Sequence, residues 1–219
     1  RFKTYSGNHG LSGFEVGKSM ATSEELARKI VAAARNGTCW ATATAGSAQD
    51  ACIEELVRER GAILFRRPLS TDEVTRYAAY AKSNAATFGR DEALGIAFQA
   101  MLIAPQFLFL AEIGTPVPRE SGVARLDAYE VAAAISYGLT DGPADAMLWA
   151  AAQSGALSTP EQIRGHVARL LASPAATAAG EFIAQYFKLD RVLTIAKTIE
   201  KSGEYGRERV HEDGRLFID

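Results

Sequence analysis

Phe65-Arg66-Arg67-Pro68-Leu69-Ser70-Thr71-Asp72-Glu73-Val74 carries two helix signals back to back. Two cations followed by a proline close a helix, because the charges oppose its C-terminal dipole and the proline cannot extend it. Ser70 and Glu73 then form the Ser-x-x-Glu capping pattern that opens the next one, with Val74, Tyr77, Ala78 and Ala81 at helical spacing behind it. A chain that ends and restarts a helix within so few residues is built of helices joined by short turns.

The same pattern extends in both directions. Upstream, Cys52, Ile53, Leu56, Ile63 and Leu64 read as the inward face of a helix capped by Ser47. Thr22 and Glu25 form another capping pair, followed by Leu26, Ile30, Val31 and Ala34, with Gly37 as the stop. Residues 1–21, spaced by Gly7, Gly10, Gly13 and Gly17, read as an irregular Gly/Ser-rich arm. Downstream, residues 91–104 form a further helix, and Pro105 opens the aromatic run Phe107 to Leu110. Asp127 caps a helix carrying Val131, Ala134, Ile135 and Leu139. Residues 144–152 make another, and Thr159-Pro160-Glu161 and Ser173-Pro174 are further helix starts. The expected fold is therefore all-α, a compact multi-helix bundle of roughly 8–10 helices, with two lobes as one arrangement. The Pro-rich residues 115–122 are the expected linker between an N-terminal helical domain, 22–114, and a C-terminal one, 123–219.

Composition narrows the function classes. The 219 residues are 47% hydrophobic and 23% charged, with 24 basic and 26 acidic side chains interspersed and a net charge of −2. That balance leaves no footprint for nucleic acid or an anionic membrane. Residues 93–113 are apolar and about as long as the ~20 residues of a membrane span, but Gln99, Pro105, Gln106 and Glu112 interrupt them. Two consecutive core segments are the better reading, with no membrane span. The sequence from Arg1 contains no signal-peptide pattern and opens mid-stride, and 205–219 reads as a helix cut short, so the expectation is a piece of a longer polypeptide.

Certain segments resemble a bacterial family best known from planctomycetes and myxobacteria, the cytochrome-associated domains of unknown function numbered 1595 and 1592. For the first, Ala51-Cys52-Ile53 and the Phe65 to Val74 run match a cysteine followed by R-A-F-R-R-P-L-T-x-x-E-V. Residues 98–112 match its L-x-S-P-x-F-L-x-x-x-E ending, with Ala104 where serine is usual. For the second, Leu126-Asp127-Ala128-Tyr129-Glu130-Val131-Ala132, Ile135-Ser136-Tyr137-Gly138-Leu139, 151–157 and 167–174 match. Gly138 and Thr140 stand where that family has aromatics. Many relatives carry a Cys-x-x-Cys-His haem site elsewhere, and this chain has none. The resemblance implies a secreted or periplasmic setting, beside redox partners in some relatives, and transfers no catalytic residue.

Candidate sites are few. Cys39 and Cys52 are the only cysteines. The flexible loop between them lets a disulfide close, stabilising by roughly 2–3 kcal/mol; the alternatives are two buried thiols or a metal site, the last short of ligands. Relatives have a similar pair, and a disulfide implies an oxidising, periplasmic or extracellular compartment. The histidines, His9, His166 and His211, show no zinc-binding spacing, so no metal is assigned. Haem c belongs, if anywhere, to another domain or partner. Arg66 and Arg67 read either as an anion or partner contact or as helix-terminal cations paired within the chain. Phe107, Phe109, Phe182, Tyr186 and Phe187 fit interior packing, with Tyr186 and Phe187 alternatively an interface. No nucleophile elbow, phosphate loop or dinucleotide motif is present.

The leading expectation is a non-catalytic scaffold or interaction module of a larger secreted or periplasmic bacterial protein, its partners being other chains or domains. The alternative is part of a periplasmic redox enzyme or electron-transfer protein whose c-type haem lies in another domain or chain.

Overall fold

The computed structural model describes residues 13–118, 122–189, 191 and 207–216. Among them lie ten α-helices, two short strands and a 3-10 turn at Cys39–Ala41, an all-α fold. No helix of the described residues is long and apolar enough to cross a membrane. The chain divides into two compact units, one of which ends at Glu130, inside a helix.

The first unit begins with α1 (Gly13–Ala34), which runs earlier than its capping signal suggests. Residues 13–21, expected to be an irregular arm, are helical, and Thr22 sits inside the helix instead of capping it. Packing explains the difference. α1 lies along α4 (Arg90–Leu102), burying Ala27, Val31 and Ala34, and the buried Ser23 hydroxyl donates to the Met20 carbonyl. That burial outweighs the glycines' cost of about 1 kcal/mol each. A 3-10 turn, Cys39–Ala41, leads to α2 (Gly46–Phe65), whose N-cap is Ala45 and not the expected Ser47. Cys52, Ile53, Leu56, Val57 and Phe65 face the core, whereas Ile63 turns outward.

α3 (Thr71–Phe88) starts at the Ser70/Glu73 capping box and buries Val74, Tyr77, Ala78 and Ala81, the face read from spacing. Gly89 breaks the chain into α4, which buries Leu94, Phe98 and Met101 completely. Pro105 opens the short α5 (Pro105–Leu108). Phe107 packs against the core, but Phe109, also expected inside, is 54% exposed. At the start of the expected linker, β1 (Thr115–Pro116) pairs antiparallel with β2 (Ala124–Arg125) just beyond it, Thr115 opposite Arg125.

The second unit takes in most of α6 (Ala128–Thr140), then α7 (Ala146–Ser154), α8 (Pro160–Leu171), α9 (Ala178–Tyr186) and α10 (Arg207–Leu216). Its most buried residues are small: Ala132, Ala133, Ser136, Ala151, Ala152 and Ala184 beside Leu148, Leu157 and Leu170. Helix starts follow side-chain chemistry here too, since Asp145 caps α7 and Thr159 with Gln162 makes a capping box ahead of Pro160.

Phe98 is wholly buried in the first unit's core. Phe98→Ala is expected to destabilise that unit by about 3–5 kcal/mol, read as a lower urea midpoint at unchanged slope.

Candidate functional site

The charged residues of the first sequence motif converge on the turn between α2 and α3. Arg66 adopts a left-handed backbone, φ 60°, as the C-cap of α2, and its own N–H donates to the Ile63 carbonyl. A non-glycine residue there costs roughly 1–2 kcal/mol. Its guanidinium offsets that cost by donating to three carbonyls around the end of α5: Gln106 at 3.0 Å, Phe107 at 3.0 Å and Phe109 at 2.8 Å. Helix ends leave such carbonyls without intrahelical partners.

Arg67 points the other way. It grips Glu73 bidentately, both contacts at 2.8 Å, and also donates to the Pro68 carbonyl. Glu73 simultaneously accepts the Ser70 N–H, and the Glu73 N–H donates to the Ser70 hydroxyl. The guanidinium beside it, helped by these helix-start bonds and opposed by burial, holds the Glu73 carboxyl down to about 2. Both arginines of the motif thus bond within the chain.

The two cysteines form a disulfide with a Cα–Cα distance of 5.6 Å. It pins the 3-10 turn to α2 and presents Trp40, which is 1% exposed. The indole N–H donates to Asp91 at 2.8 Å, and Arg90 lies over the ring at 3.9 Å while also donating to the Trp40 carbonyl. Asp91 accepts from Arg35 as well, so the ends of α1, the disulfide loop and α4 meet on one carboxylate. Burial pushes Asp91 up, yet these donors together hold it below the usual carboxylate range.

The second motif, Leu126 to Val131, resolves in the same way. Asp127 accepts from the N–H groups of Tyr129 and Glu130 and caps α6. Glu130 reaches back to accept from Asp127, Ile113 and Gly114, tying the strand pair to the helix start. Burial raises this carboxyl and the three backbone donors outweigh it, so it titrates low. In the second unit, Arg169 grips Asp145 at 2.6 and 3.1 Å and, as the leading cause, lowers its carboxyl. The nearby His166 keeps a buried Nδ1 without a hydrogen-bond partner.

All four carboxylates are therefore stabilised as anions. A general acid at neutral pH needs the opposite shift, so their geometry suits structural acceptors. Sequence reading singled out Arg66 and Arg67 but missed Asp91, whose two hydrogen-bond donors, Arg35 and Trp40, lie outside its own helix. Among the described residues no group of three or more His, Cys, Asp and Glu is placed to hold a metal. His9 lies outside the described residues, Met101 is core, and Met20 and Met147 are half-exposed.

The aromatics of α9 reverse an expectation. Phe182, Tyr186 and Phe187, read first as interior, are 49%, 61% and 67% exposed. They form one group, Phe182 stacked on Tyr186 at 6.2 Å and Tyr186 edge-on to Phe187 at 5.3 Å. Helical spacing brings residues 182 and 186 together on one face of α9; nothing in it says whether that face is covered.

Two predictions follow from these bonds. Replacing both cysteines, Cys39→Ser with Cys52→Ser, is expected to lower stability by about 3 kcal/mol in urea unfolding. Because the folded Glu73 carboxyl lies below its ordinary 4.5, its contribution is complete above that value and is lost as pH falls towards about 2. Stability measured across that window should drop by roughly 2 kcal/mol from this group, after screening at the partly exposed Arg67. Glu73→Gln should remove that part of the slope.

Comparison with known families yields two matches. Residues 52–112 match the family described as PSD5: Protein of unknown function (DUF1595). Residues 126–218 match PSD4: Protein of unknown function (DUF1592). Neither the curated proteins nor the solved structures contain a match to the chain. The first match spans the disulfide's second cysteine and the double-arginine turn; the second opens one residue before the Asp127 cap. Two successive segments of the chain thus match this pair of families, the DUF1595 match followed by the DUF1592 match.

Proposed function

We propose that the chain is a non-catalytic scaffold or interaction module of a larger secreted or periplasmic bacterial protein or assembly. The observation that carries this reading is the exposed aromatic group of Phe182, Tyr186 and Phe187 on α9. At 49%, 61% and 67% exposure, the three rings leave apolar area for a further surface to cover. Each ring offers about 150–250 Å², and covering the exposed part is worth on the order of 5 kcal/mol before association costs. Aromatic residues are enriched at the centres of protein interfaces. The expected occupant is an apolar face of another domain of the same polypeptide or of another chain. The motif charges support the same reading, because they are already used in tying helices together. The disulfide supports an oxidising compartment.

Phe187→Asp and Tyr186→Asp, made in the full-length protein in its native host, should shrink the native assembly seen by size-exclusion chromatography with light scattering. The helical circular dichroism of the variants should remain that of the parent. An assembly of unchanged mass would remove this surface from the reading. Turnover of a substrate through residues of this segment would overturn the non-catalytic assignment. A Soret band in the native complex would favour the alternative, a redox assembly whose c-type haem lies in another domain or chain.

A further inference from the structure

The turn that follows α1 presents Asn36-Gly37 in a form open to intramolecular chemistry. α1 ends at Ala34, and the Arg35 and Asn36 N–H groups still donate to Ala32 and Ala33 at 3.3 Å. Gly37 then takes a positive φ of 75°, and its N–H makes no hydrogen bond among the described residues. Both residues are exposed. A Cβ placed on Gly37 would meet nothing within 4 Å, so no other part of the chain crowds that face of the turn. The chain has two other asparagines. Asn84 lies inside α3, followed by Ala85, with its amide nitrogen donating to the Tyr80 carbonyl at 2.8 Å; Asn8 lies outside the described residues.

We propose that Asn36-Gly37 is a site of spontaneous deamidation in the folded protein, and that Asn84 is not. The Gly37 peptide nitrogen gives up its proton and attacks Cγ of Asn36. A C–N bond forms, the C–NH2 bond breaks, and the amide leaves as ammonia. The resulting five-membered succinimide then takes up water at either carbonyl, giving aspartate or isoaspartate. Nothing is oxidised or reduced, and water is the only co-reactant. A side chain on residue 37 would crowd the attack; glycine has none, and the left-handed turn that favours glycine is what keeps it there.

The location gives the change a structural consequence. The product places a new carboxylate at the C-terminal end of α1, where the helix dipole disfavours negative charge. It also abuts Thr38, whose hydroxyl donates to Ala34 and accepts from Trp40 at the start of the disulfide loop. The isoaspartyl form lengthens the main chain by one carbon at that point. The modification thus accumulates with age beside the Trp40 and Asp91 contact.

The test is incubation of the full chain at 37 °C over a range of mildly alkaline pH, followed by non-reducing peptide mapping. Expected is progressive loss of the unmodified Asn36 peptide, faster at higher pH, with the Asn84 peptide intact. The products should carry the mass change of NH2 replaced by OH, and an isoaspartyl carboxyl methyltransferase should methylate part of them. Asn36→Gln should abolish both signals, since its longer side chain cannot close the same ring. The same incubation in urea separates site chemistry from protection by the fold. Conversion of Asn36 in urea but not in the folded chain would overturn the proposal, as would equal conversion of Asn36 and Asn84 in the folded chain.

Discussion

Arg66 holds a backbone conformation that usually falls to glycine, and it does so with its side chain engaged. A glycine would make the turn at less strain but would leave the carbonyls at the end of α5 without this donor. An arginine makes the turn and caps the other element at once. The adjacent Arg67 then fixes the entry to α3 through Glu73. Two consecutive side chains thereby join α2, α3 and α5. Nine of the first unit's 19 buried core residues, including Phe65 and Tyr77, lie on α2 and α3, the two helices that this turn connects. The Phe65 and Tyr77 rings meet edge-on at 5.7 Å across it, so the polar tie and the apolar packing reinforce each other.

One device recurs through the chain. A carboxylate placed at a helix start accepts the local N–H groups and reaches a second element with its remaining oxygen capacity. Glu73 does this towards Arg67, Glu130 towards the Ile113 and Gly114 backbone, and Asp145 towards Arg169. An ionised carboxylate has several acceptor sites, so it can cap and cross-link together. The same bonds lower its proton affinity. Acids used in this way are held in one protonation state across neutral pH, which suits rigidity and ill suits proton transfer. The distinctive residues of both matched regions are therefore accounted for by folding, and the outward-facing aromatics of α9 carry the functional proposal.

Much of this was legible in the residues alone. Capping chemistry is local: Ser70 with Glu73, Asp127 ahead of α6, and Thr159 with Pro160 announce helix starts through bonds that span three residues. The buried face of α3 followed from spacing for the same reason, and the only two cysteines left the disulfide as the leading pairing. The start of α1 and the N-cap of α2 were not legible. Gly13 and Gly17 disfavour helix locally, and only burial of α1 along α4 overrides them. Residues 115–122 read as a linker because prolines and a glycine punctuate them, yet Thr115 and Pro116 pair with Arg125 and Ala124 as short strands.

The division has a physical origin. Interactions closed within one helical turn are written in neighbouring residues, so sequence by itself determined the helical class, most helix starts and the use of acids and cations at helix ends. Interactions between elements depend on which distant surfaces meet. Spacing places Phe182 and Tyr186 on one face of a helix; it does not say that this face meets water. Nor does it bring Arg35, Trp40 and Asp91 together, or aim Arg66 at α5. Those outcomes were decided by tertiary packing, because burial is a property of the assembled chain and each such contact spans tens of residues that local chemistry does not connect.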